Sequence, residues 1–554
     1  MSASRNEPGP QRQELDARVR AFEERLRREW GLDAPAVRHF KRVEERPFTA
    51  EERPRTTILY GGLTLAHETI LQGALEGLGY RAEPLPCPDN QALAVGKEYG
   101  NRGQCNPTYY TVGNLVKYLQ ELRARGVRDI EDRYVFVTGG GCGPCRFGMY
   151  EAEYRKALRD AGFPRFRVLL FQQTAGLKQS GEGAGLELNA TFFITLIKAL
   201  MAGDLINDLG YRIRPYEVHP GETDRILAQA RALLADTFRQ RLPLWRALRR
   251  VRRWIAGIAV DYSRVKPRVK ITGEFWAQTT EGDGSYRLAR WLEGENAEVL
   301  VEPVATWVDY LIWEGLQYVR DRRWSRWDAT GLKGRNPWKL EALLLLAQAV
   351  YRTHYFAYRA ALGFRPLPLP SQRLLARLAH PYYNTRLSGG EGHMEVGKTI
   401  LAVTRKKAHL VISIKPFGCM PSTQSDGVQS KVITDYPDTL FVSIETSGDS
   451  EVNVKSRVQM KLFEAKQRAR EEFRRAAEAY GLTAEQAQAV LQAQRGRLGA
   501  LHPLPHKAAG TAANALHSVM TRHPLRELPA RIQALRARLA RSGKPIPEAQ
   551  ARKA

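Results

Sequence analysis

Val135–Arg146 reads VFVTGGGCGPCR. An apolar run of strand character ends in three glycines and then a Cys-x-x-Cys pair, which is how a parallel strand delivers soft ligands to the carboxyl edge of a sheet. Upstream, Thr57–Gly61 (TILYG) reads as a short strand, Leu63–Leu78 as a helix with apolar residues at three- and four-residue spacing, and Tyr80–Leu85 as a second strand. That order implies a parallel pair with a right-handed crossover. Gly96–Tyr110 is too rich in Gly, Asn and Pro for regular structure and leads into a helix predicted at Thr111–Arg125. Downstream, Met149–Ala161 is the helix after the third strand, and Phe166–Gln172 is a further strand.

The same grammar returns later in the chain. Arg268–Thr272, a helix at Tyr286–Glu293 and Glu298–Pro303 open a second unit, which resumes at Leu410–Ile414 and Leu440–Ile444 and closes with a helix from Val454 to Tyr480. The expected fold is α/β: two doubly wound, Rossmann-like parallel-sheet units facing a shared cleft, with helical N- and C-terminal extensions. The expected boundaries are a helical N-terminal arm over 1–50, a first α/β domain over 51–184, a helical connector over 185–265, a second α/β domain over 266–480 and a helical basic tail over 481–554.

Composition sets the outer limits. A chain of 554 residues with 43% hydrophobic and 26% charged content has globular values and ample core. It contains no run of about 18 apolar residues that would span a membrane, and the charged N-terminus lacks an apolar signal core, so a cytoplasmic protein is expected. The net charge of +26, from 85 Lys and Arg against 59 Asp and Glu, draws polyanions or steers an acidic partner. That charge is scattered along helix-like segments and no nucleic-acid motif accompanies it, so nucleic acid is not the expected partner.

Five cysteines, an odd number, argue against a complete disulfide framework. Cys87, Cys105, Cys142, Cys145 and Cys419 all fall in or beside loops rich in Gly, Pro or Asn rather than inside apolar runs, where structural cysteines more often sit. Cys105 leads into a helix, whose N-terminal dipole favours a thiolate, and Cys419 follows a strand in KPFGCMPS. Thiolates on glycine loops suit an iron–sulfur cluster. A thioredoxin-like dithiol, a zinc site and unrelated cysteines remain open readings, although no second closely spaced pair exists for structural zinc. Glu274, at a strand end in ITGEFW, and His393, in GEGHMEVGK, are the candidate proton donors. Gly392–Thr399 (GHMEVGKT) matches the phosphate-binding P-loop pattern, but no buried strand precedes it and no long amphipathic helix is expected after it.

Four separated motifs carry a resemblance. GKEYGNRGQCNPTYYTVGNLVKYL, GPCRFGMYEAEYRKAL, ITGEFWAQ with LARWLEGENAEVLVEPVATWVDY, and KPFGCMPSTQSDGVQSKV occur in this order, and across residues 55–480 the chain resembles the 2-hydroxyacyl-CoA dehydratase superfamily. It is most similar to the carboxy-terminal part of the large CoA-enzyme activase proteins, which are related to double-cubane-cluster reductases. The resemblance implies an oxygen-sensitive protein that carries a cubane-type cluster and takes low-potential electrons from a separate ATP-hydrolysing activator of actin-like fold. It implies Cys105, Cys145 and Cys419 as ligands, with Cys142 as an alternate or fourth and Cys87 as a weaker candidate. It also implies a dimeric assembly and a small-molecule substrate, for which a CoA thioester is a candidate.

This chain has no ATPase domain of the activator type. Five cysteines cannot supply six thiolates, so a double cubane needs a further ligand and a single [4Fe–4S] cluster fits the count better. Against an enzyme stand two alternatives: a non-catalytic electron-transfer or scaffold component, and a zinc- or polyanion-binding protein.

Overall fold

The computed structural model describes residues 10–30, 46–141, 145–172, 184–324, 332, 334–387, 389–448 and 450–522. The chain divides into two compact units, Met1–Arg46 and Pro47–Ala554. In the first, Pro10–Glu29 is a helix with Leu15, Val19 and Phe22 exposed along it.

The second unit carries two four-stranded parallel sheets. β1 (Thr57–Tyr60), β2 (Arg81–Pro84), β3 (Tyr134–Gly140) and β4 (Arg167–Gln172) are ordered β2-β1-β3-β4. β5 (Arg268–Gly273), β6 (Glu298–Val301), β7 (Leu410–Pro416) and β8 (Phe441–Thr446) are ordered β6-β5-β7-β8. The two sheets share one strand order. In each, the order reverses between the first and third strands in sequence, the point at whose carboxyl ends sheets of this kind bind ligands.

Each of the eight predicted strands is present. Helices cover both faces of such sheets, so strands are buried on both sides: all six residues of the central strand β5 and all four of the edge strand β6 are buried. β5 nevertheless carries Arg268 and Lys270. Their charges are met across the ladder by Glu298, 3.0 Å from Arg268, and by Glu302, 2.8 Å from Lys270. Unpaired, either would be costly to bury.

The helix Leu65–Gly77 crosses from β1 to β2 and is capped by Thr64, which accepts from the His67 N–H. Three connector helices, Ala190–Ile213, Glu222–Arg239 and Leu244–Ala256, bury Leu205, Leu209, Leu234 and Leu248 in a common core. Among the described residues one segment, Ala190–Tyr216, is long and apolar enough to cross a membrane; in the fold it places Ala199, Ala202 and Ile206 in that core.

Two elements differ from the sequence expectation. Part of the predicted loop is helical: Asn90–Tyr99 forms a helix capped by Asp89, and the next helix begins at Asn106 rather than Thr111. Gly96, read as part of the loop, and Gly113 in the following helix are contact points. A Cβ on Gly96 would lie 1.9 Å from the Tyr109 carbonyl, and one on Gly113 would lie 1.9 Å from that of Ala92, so these helices pack at backbone distance. The expected tail also joins the core up to Arg522, since helices Ala484–Ala493 and Thr511–Arg522 bury Leu491, Ala512 and Leu516 beside the connector helices. Glu472 anchors it by accepting from the N–H groups of Ala509, at 2.8 Å, and Gly510, at 2.7 Å.

Candidate thiol site

Three of the predicted cysteines occupy one kind of position. Cys105 is the N-cap of Asn106–Ala124, Cys145 that of the short turn Arg146–Met149 leading into the helix Tyr150–Asp160, and Cys419 that of Met420–Asp435. None of the three makes a side-chain capping bond. Each sulfur thus stands at the N-terminus of a helix or helical turn, whose positive dipole end favours negative charge. Cys145 follows β3 and Cys419 follows β7, the topologically equivalent strands of the two sheets.

The three loops meet. The Asn106 N–H donates to the Phe417 carbonyl at 3.0 Å, and a Cβ on Gly418, whose φ is +76°, would lie 3.3 Å from the Cys105 Cα. Arg146, next to Cys145, donates from one guanidinium nitrogen to the Gly103 carbonyl on the Cys105 loop. Its other terminal nitrogen reaches the Met420 sulfur, 3.9 Å away and next to Cys419. One side chain thus ties all three cysteine loops together. Cys105 Sγ is hydrogen-bonded with Thr108 at 3.2 Å and with the Tyr150 hydroxyl at 3.0 Å, while Cys419 Sγ pairs with Ser422 at 3.3 Å.

Burial governs the charge state here. It pushes the Cys145 thiol up to about 12 against the pull of the Phe147 N–H, with Glu274, Glu391 and Cys105 adding to the rise. Cys419 is raised for the same first reason, and Glu274 again adds to it. Cys145 and Cys419 are therefore neutral thiols without a metal, and a coordinated metal would deprotonate them. Beside Cys105, the Gln104 Oε1 and Asn106 Nδ2 atoms are buried without partners. Uncapped helix ends, converging soft donors and orphaned polar atoms together fit an iron–sulfur cluster. Among the described residues no three His, Cys, Asp or Glu side chains lie close enough to hold a single metal ion; a cluster spreads its thiolates more widely than one ion does.

Glu274 sits at the end of β5, beside β7, where its carboxylate accepts from the Ala277 N–H at 2.7 Å. Burial, opposed by the Ala277 and Trp276 N–H groups and reinforced by Glu395, pushes it up to about 7. Two further carboxylates join it. Glu391 is raised by burial and then by Glu274 and Glu395. Glu395 accepts from Ser413 at 2.5 Å and from Ser425. Lys398, pulled down to about 8 by burial, balances them together with Glu302. Sequence reading missed Glu391, Glu395 and Lys398, although an acidic pair four residues apart with a lysine three further on marks one face of a helix start.

The remaining predicted residues lie elsewhere. Cys142 falls outside the described residues. Cys87 packs against Gly282, whose added Cβ would lie 2.8 Å from its sulfur, and it is pushed up to about 11 by burial and then by Glu68 and Glu281. It follows β2, an edge strand with β1 between it and β3, which separates it from the other three. His393 is fully buried, with ring centroids 4.8 Å from Trp313 and 5.5 Å from Tyr310 and neither nitrogen hydrogen-bonded. Burial, then Lys398 and Arg386, pulls it down to about 4, so it is neutral at pH 7. The P-loop-like stretch runs into the buried helix Met394–Thr404 after a turn, not a strand, and its lysine faces carboxylates.

No protein-family model matches the chain, and a search of the curated proteins finds no match.

Proposed function

We propose that this chain is an iron–sulfur protein of the 2-hydroxyacyl-CoA dehydratase and activase type, holding a [4Fe–4S] cluster on Cys105, Cys145 and Cys419. It accepts low-potential electrons from a separate ATP-dependent activator of actin-like fold and uses them to reduce or dehydrate a small molecule, with CoA thioesters the substrate class that the motif resemblance implies. The observation that carries this reading is the Arg146 tie, which gathers three loops that each present a cysteine at an uncapped helix N-terminus.

When bound, such a cluster supplies one-electron chemistry at low potential. The chain's own part is electrostatic and protic. The N–H groups of Phe147 beside Cys145 and of Ser422 beside Cys419, with the Tyr150 and Thr108 hydroxyls at Cys105, set the charge that the sulfurs carry. Glu274 holds a proton near neutrality at a carboxyl whose charge reaches both Cys145 and Cys419, which suits a proton donor to a molecule reduced there. A cytoplasmic, reducing setting suits these free thiols.

Anaerobic purification followed by iron and sulfide assay tests the reading. Four irons per chain are expected, and a colourless protein without iron after reconstitution would overturn it. A reduced-state EPR spectrum that shifts with an acyl-CoA supports an enzyme. Activator docking with no substrate response would identify an electron-transfer component instead.

A further inference from the structure

A cavity of about 340 Å³ lies between the connector helices and the second sheet, with Ala277 and Gln278 of the short helix Phe275–Thr279 in its wall. Cys105, Cys145, Cys419, Glu274 and Glu391 are all absent from its lining. Its volume lies in the range of small-molecule sites, roughly 300–1,000 Å³. The walls combine two chemistries: aliphatic side chains, among them Ile206, Leu227, Ile271 and Ile414, and four arginines, Arg214, Arg231, Arg287 and Arg290.

Three of the arginines are satisfied within the protein. Arg214 is 2.9 Å from Asp224 and 2.7 Å from Glu293, Arg290 is 2.8 Å from Asp224, and Arg287 is 3.0 Å from Asp283. Glu281, the other acid in the lining, accepts from the Leu65 N–H at 2.6 Å. Arg231 differs. It is half-buried on the helix Glu222–Arg239 and makes no hydrogen bond or ion pair among the described residues. A second lining group, Gln278, donates its amide N–H to the Gly273 carbonyl at 3.2 Å but leaves Oε1 buried without a partner. A planar guanidinium with open donors in a largely apolar chamber is suited to fork-like recognition of a carboxylate or phosphate.

We infer that this cavity binds a small organic anion, a carboxylate or phosphate head on an apolar body, with Arg231 pairing the head and the aliphatic wall taking the body. Burial lowers the Arg231 affinity for its proton against the pull of Glu281 and Asp224, with Arg290 and Arg214 adding to the fall. The inference does not rest on the cluster, because the cavity is defined without any thiol.

Calorimetric titration of the full chain with hexanoate, hexyl phosphate, hexanol and orthophosphate tests it. Hexanoate or hexyl phosphate should bind at least about tenfold more tightly than hexanol and orthophosphate, which lack the head and the body respectively. Whichever anion binds more tightly identifies the head group. Arg231→Gln removes a side chain that makes no hydrogen bond or ion pair among the described residues, so it should keep the wild-type melting temperature and lose about tenfold or more in affinity for that anion. Ala289→Phe, which fills the chamber from the lining, should abolish binding in a folded protein. Equal affinity for hexanol and the anions, unchanged binding by Arg231→Gln, or no binding of any probe by the folded protein would overturn the assignment.

Discussion

Replacing Asp204 should do more damage than any other single change in the connector helices. Its carboxylate, 4% exposed, accepts from the backbone N–H of Val304 at 2.6 Å and of Ala305 at 2.7 Å, and it shares a hydrogen bond with His67 Nε2 at 3.2 Å. The two amides open the helix Val304–Arg322, whose own N-cap, Pro303, makes no side-chain bond. Asp204 is thus a cap supplied from another element, joining the connector to both sheets. Asp204→Ala leaves three buried donors without an acceptor, a loss of about 3–5 kcal/mol. At a urea slope of ~3 kcal/mol/M the unfolding midpoint falls by roughly 1 M or more. Asp204→Asn keeps one acceptor oxygen but turns an N–H₂ group toward a donor, so it should fall between. Urea unfolding followed by circular dichroism, with hydrogen exchange on the peptide covering Val304 and Ala305, measures both effects. A midpoint within about 0.2 M of wild type for Asp204→Ala, with protection at those amides intact, would refute the cap as the source of that stability.

Other perturbations follow from the same structure. Burial raises the Glu472 pKa, but His409 and the Ala509 and Gly510 N–H groups outweigh it and hold the carboxyl down to about 2 from 4.5. Its contribution, about 3 kcal/mol, is therefore present above pH ~4.5 and lost as pH falls toward 2; melting curves should show that decline, and Glu472→Gln should start lower and flatten it. Tyr150→Phe removes a hydrogen bond to the Cys105 sulfur worth ~0.5–1.5 kcal/mol, so a cluster there should become harder to reduce by up to about 20–65 mV in anaerobic potentiometry. A shift to higher potential would contradict that role. Gly418→Ala places a Cβ 3.3 Å from the Cys105 Cα at a φ of +76°. It should cost about 1–2 kcal/mol in urea unfolding and lower iron occupancy by separating the Cys105 and Cys419 loops.

Strands were the most legible feature because each is an apolar run bounded by Gly, Pro or a charged turn. Even so, β3 runs on through Gly139 and Gly140, which pair with Phe171 and Gln172. Glycines that read as the end of a strand still form ladder bonds. Helix starts were harder: Cys105 and Pro107 flank a true N-terminus that a loop-like composition hid. The thiols were legible because glycine loops at strand ends constrain where a cysteine can point. Glu274 was read as a candidate at its strand end, but its companions Glu391 and Glu395 were not, since they lie around the start of a helix more than 100 residues later. Their meeting depends on β5 and β7 being sheet neighbours, which periodicity does not report. Cys87 shows the converse. Its loop composition resembles that of the others, but strand order places it at the sheet edge.

The most direct measurement is anaerobic iron and sulfide content of the four single variants Cys105→Ala, Cys145→Ala, Cys419→Ala and Cys87→Ala, each reconstituted beside wild type. The three loops tied by Arg146 predict that the first three variants lose most of their iron and that Cys87→Ala keeps the wild-type stoichiometry. Full iron in any of the first three, or its loss in Cys87→Ala alone, would contradict the assignment of the cluster to these thiols.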